Sequence, residues 1–176
     1  MSKVNYDLTQ IKAIAFDVDG VLSPSTIPLG HDGVPARMVN IKDGFALQLA
    51  VKRGYKIAII TGADSSAIIT RYKALGINDI FTKCGQKLDV FKQWIIDNGV
   101  HQEHTAFVGD DLPDYESMEY AGLSVAPADA ADEIKEIATY ISPVNGGYGV
   151  ARDILEEIMK AQDNWATSKK EKAFGW

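Results

Sequence analysis

A chain of 176 residues is long enough for one domain that buries roughly 70% of its unfolded surface, and 46% hydrophobic with 24% charged residues is an ordinary globular balance. A net charge of −6 without any long basic run argues against nucleic-acid binding. The single cysteine, Cys84, excludes an internal disulfide framework, and neither a membrane span nor a signal-peptide core is legible, so a cytoplasmic protein is expected.

Residues 11–17 (IKAIAFD) open with an apolar, β-rich run that ends in Asp17, Val18, Asp19 and Gly20. Asp19-Gly20 suits a turn, but Asp17 still lies in the apolar run and must find a partner or a metal. Residues 23–41 break the rhythm with three prolines and a His31-Asp32-Gly33 turn, which predicts a projecting β-hairpin flap over about 24–40. A helix is expected around 43–53, and then a strand, 56–61 (KIAIIT), that ends on Thr61. Ile68, Tyr72 and Leu75 share one face of a helix over 65–75, with Asp64 as a cap and Gly76 behind it. A strand at 79–83 precedes a helix over 87–98, where Leu88, Phe91 and Ile95 align before Gly99. A strand at 105–109 leads into VGDDLPD, and a helix starts near Pro113 and ends before Gly122. Strands at 123–126 and 138–141, a helix over 150–161 and a polar tail, 163–176, complete the chain.

This alternation predicts βαβ units, hence an α/β domain with a Rossmann-like, doubly wound, mainly parallel sheet over residues 1–162. Only residues 18–60 separate Asp17 from Thr61. They hold the flap and a helix, which leaves no room for a separate cap domain. Right-handed crossovers put the strand C-termini along one edge, where such folds bind ligands. Asp17, Thr61 and Asp110 each end or closely follow a strand and are therefore expected at one crevice.

The residue types at that crevice point to phosphate chemistry. Crowded carboxylates (Asp17, Asp19, Asp110, Asp111, Asp114) repel one another, and a bound Mg2+ relieves the repulsion with oxygen ligands. Thr61 and Gly62, between a strand and a helix, can offer a hydroxyl and backbone N–H groups to phosphate oxygens. Lys87, opening the next helix, can neutralise charge on the same group. His31, His101 and His104 share no element, so a zinc site is not expected.

In this order, DVDGVL, ITG, Lys87 and GDDLPD resemble the haloacid dehalogenase superfamily of aspartate-nucleophile phosphatases over roughly residues 11–155. The fuller set, with KDG, QKLDVF and GGYGVARD, is similar to the small 3-deoxy-D-manno-octulosonate 8-phosphate phosphatases, which act on the route to bacterial lipopolysaccharide. The resemblance implies that Asp17 attacks phosphorus and that Asp19 acts as the general acid and base. It implies that Thr61 and Lys87 hold the transferring oxygens. Mg2+ would be bound by Asp17, the Asp19 backbone carbonyl and Asp110, with Asp111 and Asp114 orienting the metal shell or Lys87. The NGGYG loop is expected near the sugar of a sugar-phosphate substrate. A homotetramer is implied too, with flaps at the interface and a neighbouring subunit covering each site. One departure is Ala63, where the octulosonate phosphatases commonly carry Arg. A basic sugar contact then falls to Arg71 or to a neighbour's residue, and a nine-carbon ulosonate 9-phosphate becomes the alternative substrate. A phosphorylatable receiver domain is the remote alternative, but its phosphoacceptor follows the third strand, and here IFTKCG offers no Asp.

Overall fold

A computed structural model describes residues 3–165. In chain order these contain β1 (Ala13–Phe16), α1 (Ile41–Lys52), β2 (Lys56–Ile60), α2 (Ser66–Lys73), β3 (Asp79–Phe81), α3 (Lys87–Asp97), β4 (Thr105–Val108), α4 (Tyr115–Tyr120), β5 (Leu123–Ala126), α5 (Asp132–Ile137), β6 (Tyr140–Ile141) and α6 (Val150–Ala161). Among the described residues the six strands form one sheet in the order β3-β2-β1-β4-β5-β6, and every neighbouring pair is parallel. This is the Rossmann strand order, with its switch point between β1 and β4; receiver domains use 2-1-3-4-5.

Side chains that alternate along β1 build two different cores. Ile14 and Phe16 join Ile59, Val108 and the buried sides of α1, α2 and α6. Ala13 and Ala15 face the opposite layer with Ala58, where their small size leaves room for Phe91, Trp94 and Phe107. The Phe91 and Phe107 rings meet edge to face, with centroids 5.2 Å apart. With both faces covered, the central strands are buried along their whole length, which explains their continuous apolar runs.

The flap is a hairpin of minimal kind. One isolated antiparallel bridge joins Leu29 to Pro35, supported by Gly30 N–H donating to Val34 O and Ala36 N–H to Pro28 O, each 2.8 Å. Pro28 has no N–H to return to Ala36 O, so the ladder does not extend. The interval between Asp17 and Thr61 holds this flap, α1 and β2. The helix expected from Pro113 begins as a 3-10 turn over Leu112–Asp114 and becomes α-helical only at Tyr115. The short α5 was not foreseen: it buries Ile134 alone and offers too little apolar periodicity.

Beyond α6 the chain stays docked as far as Trp165, whose ring meets Phe45 edge-on at 6.2 Å and lies under the Arg152 guanidinium at 4.5 Å. The remainder of the expected tail, 166–176, lies outside the described residues. Among the described residues no helix is long and apolar enough to cross a membrane.

Phe91 joins α3 to the sheet from a fully buried position. Phe91→Ala is expected to lower unfolding stability by about 3–5 kcal/mol in urea titrations; a loss below about 1 kcal/mol would mean that this layer is not the tightly packed one.

Candidate active site

The switch point assembles the site. Asp17 leaves the end of β1, but its N–H still donates to Val108 O of β4 at 3.0 Å, so both strands fix it. Its buried carboxylate meets Lys87, the first residue of α3: Nζ lies 2.9 Å from Asp17 Oδ1 and 2.7 Å from Asp114 Oδ1. The other oxygen of Asp114 accepts the N–H of Asp110 at 3.1 Å. Asp111 Oδ1 accepts the Leu112 N–H at 2.9 Å and caps the turn that carries Asp114.

Thr61 follows β2 and donates its N–H to Phe81 O of β3 at 3.0 Å. Its Oγ1 accepts the Ala63 N–H at 3.2 Å, which closes a turn over Gly62 and leaves the hydroxyl hydrogen able to point outward. Asp19 lies elsewhere in the site. Its carboxylate is clasped by Arg37 of the flap, Nε to Oδ1 at 2.6 Å and Nη2 to Oδ2 at 2.8 Å.

Glycines permit the close approaches. Gly20 has φ +89°, and a Cβ there would stand 1.9 Å from Asp110 Oδ2, so the Asp110 carboxylate lies directly over the turn after Asp19. On the far side of that turn, a Cβ on Gly146 would stand 1.9 Å from Gly20 O, and Gly147 N–H donates to Val21 O at 2.8 Å. The NGGYG loop is thus packed against the turn that follows Asp19.

Electrostatics are dominated by burial. Burial raises the Asp17 carboxyl, and the Asp114 charge adds to it. Asp110 is pushed up to about 8 by burial and then by Asp17, Asp114 and Asp111. Burial works against the Lys87 ammonium, but Asp17 and Asp114 outweigh it and raise its pKa. One ammonium cannot neutralise three carboxylates, and the excess negative charge favours either protons or a cation. Oxygens of Asp17, Asp110 and Asp114 lie within 4.8 Å of one another. Such an all-oxygen, charge-excess set fits a hard divalent cation such as Mg2+. Asp114 has both oxygens engaged, so Asp17 and Asp110 are the better donors.

Beside this cluster a cavity of about 220 Å³ opens between flap and α2, lined by Val18, Ser23, Arg37, Ser65, Arg71 and Tyr72 among others. Arg71 thus lies on the cavity wall, apart from the carboxylates. Sequence reasoning missed Arg37, although it is the one arginine or lysine in 23–41. It also missed Asp43, which reads as an ordinary first-turn acid yet is buried.

A profile of haloacid dehalogenase-like hydrolases matches residues 73–154. The chain is 35% identical over 152 residues to 3-deoxy-D-manno-octulosonate 8-phosphate phosphatase KdsC of Escherichia coli K12, covering 86% of this chain and 81% of that one. The chain belongs to the haloacid dehalogenase-like hydrolases. Within them it is similar to the octulosonate phosphatases in structure as well. The Yersinia pestis enzyme superposes with a TM-score of 0.86 at 32% identity, over 90% of this chain and 85% of that one. The Moraxella catarrhalis enzyme, crystallised with magnesium, phosphate and KDO, gives a TM-score of 0.86 at 34% identity, over 90% and 91%.

Carboxylates raised in the folded state hold protons that the unfolded chain has released. Stability therefore falls as pH rises through the folded values. Without divalent cation, the melting temperature should drop as pH rises from about 4, the ordinary carboxyl value, to about 8, the folded value of Asp110, and added Mg2+ should raise it more at the alkaline end. Thermal scans with and without Mg2+ test this; an equal shift at both ends would contradict it.

Proposed function

We propose that this chain is a magnesium-dependent phosphatase acting in the cytoplasm. In this reading it hydrolyses 3-deoxy-D-manno-octulosonate 8-phosphate to the free sugar acid and phosphate, a step towards lipopolysaccharide. The observation that carries the reading is the buried Asp17 carboxylate, held 2.9 Å from the Lys87 ammonium and within reach of Asp110 at the end of the central strands. Its likeness to the octulosonate phosphatases over most of both chains supports the substrate.

Asp17 is the nucleophile. It attacks phosphorus and forms an aspartyl phosphate as the bond to the sugar O8 breaks. Asp19, once released by Arg37 and protonated, gives its proton to that oxygen. It then takes a proton from the water that cleaves the aspartyl phosphate. The Thr61 hydroxyl and the Gly62 N–H turn towards the transferring oxygens, and Lys87 balances their charge. Asp17, Asp110 and the Asp19 backbone carbonyl would hold Mg2+, which when bound would supply positive charge that lessens the repulsion of nucleophile and phosphate. Asp114 fixes both Lys87 and the Asp110 backbone, and Asp111 steadies the turn that carries it. Arg71, on the wall of the adjoining cavity, takes the sugar-acid end.

Asp17→Asn should cut turnover by at least about 10⁴-fold in a folded protein. Steady-state kinetics on the eight-carbon substrate, with Mg2+ and with chelator, check this; undiminished phosphate release by the variant refutes it. Ala63 keeps a nine-carbon ulosonate 9-phosphate as the second substrate to assay. A higher kcat/KM on that compound reassigns the sugar but not the chemistry.

The assembly in this reading is a homotetramer built through the flap. Leu29 (71% exposed) and Ile41 (70%), with Val34, Met38 and Val39, leave a run of large apolar side chains in water. A second subunit laid over them would also close the open side of the site. Leu29→Asp with Ile41→Asp should shift sedimentation from tetramer to smaller species; a wild type that sediments as a monomer during turnover rejects the assembly.

A further inference from the structure

Buried Asp43 and half-buried Arg71 each keep one buried side-chain atom without a hydrogen-bond partner, and both face one small cavity. Asp43, in the first turn of α1, is 3% exposed. Its Oδ1 accepts the Arg152 N–H at 2.7 Å and so caps α6, whose own N-cap, Gly149, has no side chain. Its Oδ2 is buried and has no hydrogen-bond partner. Burial pushes this carboxyl up to about 6, as expected for an acid with half its oxygens unserved. Arg71, in the last turn of α2, has a buried Nε–H that also lacks a partner.

Both residues line one small cavity of about 10 Å³ between α1 and α2. That is about the space of a single water, and the two orphans are an acceptor and a donor of opposite charge. The guanidinium is also held from the side. Arg71 Nη2 lies 2.5 Å from where a Cβ on Gly44 would stand, so only glycine lets it cross this face of α1. The nearby carboxylates are committed elsewhere: Asp19 to Arg37, and Asp17 to Lys87. Arg71 reaches from this small cavity to the wall of the larger one beside the carboxylate cluster.

We propose that Asp43 is a positioning residue for Arg71: one buried water bridges Asp43 Oδ2 to the Arg71 Nε–H and fixes the guanidinium over Gly44, at the cavity wall where it meets the substrate's carboxylate. Asp43 touches neither substrate nor metal. It acts by supplying the counter-charge that keeps Arg71 in one orientation, so less ordering is left for the binding step. The water and the pair stand on the buried atoms alone; the carboxylate they serve rests on the function proposed above.

Asp43→Asn keeps an oxygen for the Arg152 N–H and removes the charge. It should raise KM for the octulosonate phosphate about tenfold, which is 1.4 kcal/mol. The kcat should stay within about twofold, and the KM for p-nitrophenyl phosphate, which has no carboxylate, should not move. Gly44→Ala displaces the guanidinium with Asp43 intact and should give the same split. An unchanged KM for the sugar acid in Asp43→Asn, or equal losses on both substrates, overturns the positioning role. A high-resolution crystal structure of the wild type tests the bridge without any variant: a water within hydrogen-bond reach of both Asp43 Oδ2 and Arg71 Nε supports it, and apolar packing between them refutes it. If the wild type shows no preference for the sugar acid over the aryl phosphate, the functional reading fails, while the crystal water still decides the pair.

Discussion

One ammonium group set between buried carboxylates governs this molecule. Lys87 reaches from the first turn of α3 to Asp17 on one side and Asp114 on the other. Breaking such a buried pair typically costs several kcal/mol, because it leaves uncompensated charge in a poorly solvated place. The same contact joins three chain segments that lie far apart in sequence: the turn after β1, the start of α3 and the turn after β4. It makes the crevice a single charged unit. Because the acids outnumber the cation, that unit stays short of positive charge, and the shortage fits it to a hard divalent cation.

The sheet sets this arrangement up at the level of side-chain size. Ala13, Ala15 and Ala58 turn a thin face towards α3, so the helix carrying Lys87 packs through Phe91 and Trp94. The opposite face of the same strands is filled by Ile14, Phe16 and Ile59 against α1 and α6. Asp17 emerges where these layers end, which is why a carboxylate so deeply placed can still meet ligands from the edge of the sheet.

Most of the fold was legible in the sequence because parallel strands covered on both faces read as unbroken apolar runs. Gly76 (φ +85°) and Gly99 (φ +63°), expected behind helices, do adopt the left-handed conformation there. The short α5 escaped because six residues with one buried isoleucine carry no period. The carboxylates were legible as a cluster, since acids at strand ends have few structural uses. Their pairings were legible only in part. The family resemblance had already put Asp114 beside the metal shell or Lys87, and it is Lys87 that it meets; nothing local shows that Asp19 would be drawn to Arg37 in the flap, because that contact depends on tertiary geometry. Asp43 was hidden for a similar reason. An acid in a helix's first turn has an ordinary use at its own helix end, and this one serves the end of a different helix, 109 residues away.

The packing of Gly146 and Gly147 on the turn after Asp19 ties the beginning of the domain to a loop near its end. During synthesis, that turn cannot acquire its final backing until the segment leading into α6 has left the ribosome. Closing a contact of such long sequence separation carries a loop-closure cost, and the backing of this turn is added only after all six strands have been made. The turn after Asp19 therefore receives its last support from the segment that enters α6.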